Sequence, residues 1–336
     1  MPEISTTAAD RLSEAAAAVD EAHFRGTDGR AVRQTTDTMV ILRHLRIADI
    51  EPGDRVLEIG TGSGLSTALL AELVGPHGHV VSVDLLPELT ERAARLHAEA
   101  GYANVTFLAR DGLDGAPKHG PYTRIVAWTC PPRLPDAWLD QATVGAVMLH
   151  PLPVARLAYS TVMLRSVVAE SGTPTTPSVH RGAYARMGGT VHQARESDDA
   201  NATSVTGYVS AEWLHSRPAQ HAVDLLGRLE AAAHSEPVDL SWPDCDDLRA
   251  WLIAQRPEGL ISAGRDRAVG YGIATEEHVA LLEMLPHSQL IADSAQSPAL
   301  ERLRELLHTW TSAGRPGTDT LTPHLHRITD GWQATL

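Results

Sequence analysis

The sequence predicts an α/β chain: a doubly wound, mostly parallel sheet with antiparallel end strands, followed by an α-rich C-terminal module. Three observations predict it. Between residues 55 and 152, short apolar runs alternate with helix-length amphipathic segments, the pattern of βαβ units whose sheet is covered by helices on both faces. Next, the strand-like runs Tyr159 to Val168 and Ser178 to Met187 flank the turn-rich Ser171-Gly-Thr-Pro174, as an antiparallel hairpin closing the sheet would. Beyond residue 206, Ala222 to Ala233, Leu248 to Gln255 and Leu300 to Thr311 carry apolar residues three and four apart, which is helical spacing. The expected organisation is an N-terminal helical segment over 1–54, a sheet domain over 55–195 and an accessory domain over 207–336. The polar, glycine-bearing stretch Gly188 to Thr206 reads as a linker or a mobile loop.

Taken in order, residues 1–22 place Leu12, Ala15, Ala16 and Val19 at helical spacing. A basic stretch from Arg25 to Arg33 precedes a second helix, Thr38 to Ile47. Arg55-Val-Leu-Glu-Ile59 is a strand ended by Gly60-Thr-Gly-Ser-Gly64, and Ser66 to Val74 is the helix behind it. His79 to Leu85 is the next strand. Pro87 then opens a helix, as a first-turn proline can, with Leu89, Ala93, Leu96 and Ala100 on one face. Asn104 to Ala109, Arg124 to Trp128 and Ala146 to Leu149 complete the parallel set.

Composition weighs against several classes. The 336 residues are 43% hydrophobic and 21% charged, an ordinary globular composition. A net charge of −14 argues against holding a nucleic-acid backbone or docking on anionic lipid, both of which call for lysine and arginine. No apolar run reaches the eighteen or so residues of a membrane span. Cys130 and Cys245 form no framework, which fits a reducing, cytoplasmic setting. The expected protein is therefore cytoplasmic, with neither nucleic acid nor membrane as partner, and its oligomeric state is left open. Seventeen histidines include no HExxH and only isolated His-x-His pairs, so they read as surface rather than metal ligands. Cys130 beside Pro131-Pro132 reads as a small apolar residue before a nucleophile. Trp128, Trp138 and Trp213 read as core.

The chemistry concentrates in Val56-Leu-Glu-Ile-Gly-Thr-Gly-Ser-Gly64. Glycines after a first strand let the backbone turn sharply and approach a ligand. Asp84, ending the second strand, can accept hydrogen bonds from the ribose hydroxyls of an adenosine, although a plain turn residue would look the same. Leu65 stands where GxGxxG requires its third glycine. The GxGxG spacing, preceded by Glu58 and joined by Asp111-Gly112 after the third strand, suits a nucleoside bearing an amino-acid tail better than a dinucleotide.

The segment from Val56 to Ala71 resembles motif I of the protein-L-isoaspartate O-methyltransferases, Rossmann-like class I enzymes that use S-adenosyl-L-methionine. The resemblance extends through Pro87-Glu-Leu89, Gly101-Tyr-Ala-Asn-Val105, Asp111-Gly112, Ala127-Trp-Thr-Cys-Pro-Pro-Arg-Leu-Pro135 and Leu139-Asp-Gln141. Upstream, Gln34-Thr-Thr-Asp-Thr38 is similar to that family's substrate-contacting Thr-Ile-Ser-x-Pro. It implies that Gly60, Thr61, Gly62 and Gly64 line the methionine and ribose, and that Glu58 orients the methionine end. Asp84 with Leu85 would hold the ribose, and Asp111 with Gly112 would lie by the adenine. Thr36, with Thr35 beside it, falls where the family's serine places the acceptor carboxylate; both threonines also suit a cap for the helix that follows. Asp37 and Thr38 depart from the neutral residue and proline usual there.

A carboxylate acceptor has a pKa near 4 and is ionised at neutral pH, so no general base is needed. The resemblance thus implies methylation of an aspartyl or isoaspartyl side chain of a peptide or protein, giving an ester that closes to a succinimide. The long tail is similar to that of actinobacterial relatives, some of which methylate a defined aspartate in a ribosomally made peptide, and the sequence is read first as such an enzyme. General repair of L-isoaspartate is the alternative, and a cofactor-binding module without catalysis is a second.

Overall fold

The computed structural model describes residues 7–26, 30, 32, 35–188, 199–266, 268–284 and 288–336. The chain divides into two compact units. One comprises Met1–Leu152, Met163–Pro177 and Leu325–Trp332, and the other Pro153–Val162, Ser178–His324 and Gln333–Leu336.

The first unit begins with α1 (Ala8–Ala18), whose N-terminus is closed by a reciprocal Thr7–Asp10 capping box. Helix α2 (Thr38–Ala48) is capped by Asp37, which accepts from the amides of Met39 and Val40. The sheet follows with β1 (Arg55–Ile59), α3 (Leu65–Val74), β2 (His79–Asp84), α4 (Pro87–Glu99) and β3 (Val105–Ala109). It continues through β4 (Tyr122–Ala127), α5 (Asp136–Asp140), β5 (Ala142–Pro153), β6 (Thr161–Val168) and β7 (Pro174–His180). The strand order is β3-β2-β1-β4-β5-β6-β7. The pairs from β3 through β5 are parallel, and β6 and β7 are the antiparallel end strands. Central strands are buried on both faces, as βαβ packing requires. Helix α3 is buried almost all round, so its apolar residues lie on every face rather than along one stripe. Sequence and structure differ on the second strand of the end hairpin. Pro174 itself starts β7, which brings the strand forward from the expected Ser178.

In the second unit the expectation of an α-rich module is overturned. A seven-stranded antiparallel sheet runs in the order β10-β14-β13-β12-β11-β9-β8. Its strands are β8 (Ala202–Thr203), β9 (Tyr208–Ser210), β10 (His234–Pro237), β11 (Leu260–Gly264), β12 (Gly270–Ala274), β13 (Val279–Glu283) and β14 (Gln289–Ala292). The expected helices are present as α6 (Ala219–Glu230), α7 (Trp242–Gln255) and α8 (Pro298–Ser312). The sequence does not mark these strands because β11, β12 and β13 are short and buried at every position, which erases the alternation of a half-exposed strand. Gly270 and Gly272 further disguise β12 as a loop. Most of the segment expected to be a linker, residues 189–198, lies outside the described residues, as do Gln34 and much of the basic stretch from Arg25 to Arg33; Ala202–Thr203 is a strand. The chain ends in the hairpin β15 (His324–Ile328) and β16 (Gly331–Thr335). No described helix is long and apolar enough to cross a membrane.

Candidate active site

The strand order reverses between β1 and β4, and ligands of open α/β sheets bind at the carboxyl ends of the strands beside such a switch point. Register brings the sequence-predicted residues to that edge at one level. Ile59 pairs with Val83 and with Ala127, and Asp84 pairs with Ala109. The segments that follow these pairs therefore emerge side by side, about 5 Å per strand. They are the glycine loop after β1, Asp84 and Leu85 at the end of β2, Asp111 after β3 and Trp128 after β4.

Gly60, Gly62 and Gly64 have φ of +96°, +51° and +86°, a region that a residue with a Cβ enters only under strain. The Gly60 amide donates to Val83 O at 2.8 Å. Gly64 caps α3, and a Cβ on it would lie 3.1 Å from the His97 ring and 3.2 Å from Ala93, so glycine also admits α4 close to the loop. The Asp84 carboxylate accepts from the Gly62 amide and the Leu86 amide, both at 3.1 Å. Two backbone donors fix its orientation, while its partial exposure leaves acceptor capacity for a ligand. Leu85 is an exposed apolar neighbour. Thr61 is buried, its hydroxyl 2.7 Å from Ser82 Oγ. Exposed Asp111 caps the short 3-10 turn Gly112–Asp114 through the Leu113 amide, and Gly112 O accepts from the Trp138 indole at 2.8 Å.

Glu58 lies inside the fold, behind the glycine loop. It is wholly buried. Its Oε1 accepts from Ser66 Oγ at 2.6 Å and from Trp128 Nε1 at 2.8 Å. Its Oε2 accepts from Thr67 Oγ1 and from Ser82 Oγ at 2.6 Å. Burial pushes this carboxyl above the usual glutamate range, against the four hydrogen bonds that favour its charged form. Glu58 ties β1 to the first turn of α3, to β2 and to the end of β4. These partners were missed in the sequence; the signal was Ser82 interrupting the apolar run of β2, since a buried hydroxyl needs a partner.

Thr35 and Thr36 separate into two roles. Thr35 Oγ1 donates to Val32 O at 2.7 Å, closing a local turn. Asp37, not either threonine, caps α2. Among the described residues the Thr36 hydroxyl has no hydrogen-bond partner, and the residue is partly exposed. A further contributor missed in the sequence is Arg92 on α4. It donates to Ser63 O at 3.0 Å, to Phe24 O at 3.0 Å and to Arg25 O at 2.7 Å, tying the N-terminal segment to the glycine loop. Cys130 is buried, as are Trp128 and Trp138, whereas Trp213 is only half-buried. Among the described residues no cluster of three or more His, Cys, Asp or Glu could hold a metal ion.

Residues 10–174 match the family described as Protein-L-isoaspartate(D-aspartate) O-methyltransferase. A protein-L-isoaspartate O-methyltransferase of Ignicoccus hospitalis is 47% identical over 105 residues, covering 31% of this chain and 50% of that protein. One from Methanothermobacter thermautotrophicus is 36% identical over 124 residues, covering 37% and 57%. The chain thus spans about half the length of the relatives it matches. Among solved structures, a protein-L-isoaspartate O-methyltransferase aligns with 18% identity and a TM-score of 0.46 over 97% of this chain and 94% of that one. The part of this chain that is similar to the protein-L-isoaspartate(D-aspartate) O-methyltransferase family is thus residues 10–174, just under half of its length.

Proposed function

We propose that the chain is an S-adenosylmethionine-dependent carboxyl O-methyltransferase acting on L-isoaspartyl side chains of proteins or peptides. The family match over residues 10–174 carries this reading, and the convergence of its cofactor-side residues on one sheet edge supports it. The residues present fit the cofactor: the left-handed glycine loop brings bare backbone to the edge, and Asp84 is a pre-oriented acceptor for vicinal hydroxyls. When bound, S-adenosylmethionine supplies a methyl group on a sulfonium centre. Gly60, Thr61, Gly62 and Gly64 would line its methionine and ribose, Asp84 and Leu85 would hold the ribose, and Asp111 and Gly112 would border the adenine. Glu58, with both oxygens engaged inside the fold, would serve the methionine end by anchoring the start of α3 and Trp128.

The acceptor carboxylate arrives ionised, so the protein need only align it and exclude water. Thr36 would donate its hydroxyl to one carboxylate oxygen and leave the other for attack. No side chain has to take up a proton. In the ester, the backbone nitrogen of the next residue can attack the carbonyl and expel methanol, leaving a succinimide.

A second reading, methylation of a dedicated ribosomally made peptide, is favoured by one observation: the second compact unit, with its own seven-stranded sheet, lies largely outside the matched residues. Mass spectrometry with matched L-isoaspartyl and L-aspartyl peptides separates the two. Ester or succinimide on the isoaspartyl peptide alone supports the first reading. Reaction with neither peptide, despite cofactor binding, overturns it in favour of a dedicated partner or a fold without the chemistry.

A further inference from the structure

The end of the chain lies outside the family match, yet Leu325–Trp332 belongs to the first compact unit. There the β15–β16 hairpin grips the segment that follows β4. Leu134 and Trp332 exchange two backbone hydrogen bonds, 2.9 and 3.0 Å, as an isolated antiparallel bridge. Arg133 donates to Asp330 O at 2.9 Å, and its guanidinium lies 3.6 Å from the Asp330 carboxylate. Arg327 pairs with Asp136 and stands 5.6 Å from the centre of the Trp332 ring. Gly331, at φ +142°, lets the strands meet, because a Cβ there would be 2.4 Å from Leu134 O.

The gripped segment is also the β4-side wall of the glycine loop. Trp128 Cβ and Thr129 Cγ2 lie 3.6 and 3.7 Å from where a Cβ on Gly60 would be. Pro131, Pro132 and Pro135 stiffen the run between two anchors. One anchor is the Trp128 indole on Glu58, and the other is Leu134 on the hairpin. We propose that the hairpin positions this wall for methyl transfer, making Gly331, Trp332, Arg327 and Arg133 positioning residues of the N-terminal unit. The inference rests on the methyltransferase reading. The cofactor-side contacts, Asp84 with the Gly62 and Leu86 amides, do not pass through the hairpin, so its release should affect the acceptor step and spare cofactor binding.

The test uses the full chain with Gly331→Val, which forces a branched side chain against Leu134 O, and separately the Arg133→Ala/Arg327→Ala pair. Three quantities are read: S-adenosylhomocysteine affinity by calorimetry, kcat and KM on an isoaspartyl peptide, and hydrogen exchange of residues 129–134. For Gly331→Val the expected result is a loss of about ten- to a hundredfold in kcat/KM for the peptide, with unchanged affinity for S-adenosylhomocysteine and faster exchange of Leu134. The arginine pair should show a smaller loss in the same direction. Unaltered peptide kinetics with Leu134 exchange accelerated would overturn the proposal, as would cofactor affinity falling in step with kcat/KM. If Gly331→Val does not fold, the arginine pair decides by the same criteria. If the wild type does not methylate the isoaspartyl peptide, the isoaspartyl reading has failed, and exchange alone decides the hairpin's hold: acceleration across 129–134 supports it and unchanged exchange overturns it.

Discussion

Glu58→Ala should destabilise the first unit severely, whereas Glu58→Gln should be nearly tolerated. Four donors end on this carboxylate. With alanine, Ser82 retains Thr61, 2.7 Å away, and the Ser66 and Thr67 hydroxyls can turn toward backbone carbonyls of the preceding turn. The Trp128 indole, which can only donate, would lose its acceptor. Taking about 1 kcal/mol for each re-paired hydroxyl and about 1–3 kcal/mol for the orphaned indole, the loss is roughly 4–6 kcal/mol. Glutamine is isosteric. Its oxygen can keep Ser66 and the indole, and its amide can donate to Thr67 and Ser82, whose hydroxyls also accept. The lost charge assistance is offset by no longer burying a charge, so about 1 kcal/mol or less is expected. Urea unfolding resolves the difference, provided the two units are fitted as separate transitions. Equal losses in both variants, or less than about 1 kcal/mol for alanine, would refute the interior anchoring role. Cofactor affinity adds a second criterion, since an anchoring Glu58 predicts little change in Glu58→Gln and a direct ligand predicts a large one.

Other outcomes follow from the same geometry. Asp84→Ala should weaken S-adenosylmethionine binding by about ten- to a hundredfold, the value of one hydrogen bond to a charged group, read by calorimetry. Thr36→Ala should leave that affinity alone and lower kcat/KM for the acceptor by about the same factor; equal loss of cofactor affinity in both variants would contradict this division. Burial pushes His97 down to about 4 and His150 to about 3. Both are neutral in the fold and take up protons only in the unfolded chain between those values and the ordinary 6.5, so stability should be level above pH 7 and fall as pH drops below about 6.5. A urea midpoint series should show this, with a shallower acid limb in His97→Phe. Gly272→Ala would set a Cβ 1.9 Å from Ala280 O across β12–β13. The second unit should therefore lose about 2 kcal/mol or more while the cofactor affinity of the first is kept.

Much of the first unit was legible because its signals are local. Pro87 opens α4, glycines end β1, and each strand run is bounded by turns, so the parallel set appeared in the right order. Thr36 could be singled out by its place in a motif, but only the structure showed Asp37 taking the cap and Thr35 closing a turn. For Glu58 the sequence gives a position on β1 before the glycine loop, but not the convergence of Ser66, Thr67, Ser82 and Trp128 on its carboxylate from three other segments. The second sheet was missed for the opposite reason. Leu260–Gly264 and Gly270–Ala274 are buried throughout, so no period-2 pattern exists to be read, and tertiary packing decides their conformation. The Leu134–Trp332 bridge joins residues far apart in the chain, and no local pattern announces it.

The proposed activity is transfer of a methyl group at this sheet edge to an L-isoaspartyl carboxylate. The most direct test is to incubate the full chain with S-adenosylmethionine carrying a deuterated methyl group and an L-isoaspartyl peptide, and to follow the label by mass spectrometry. The expected result is a label on the isoaspartyl carboxyl that leaves as deuterated methanol when the succinimide closes. A label that stays on the peptide through mild base, marking an amine or other non-ester site, or no label while the cofactor binds, would contradict it.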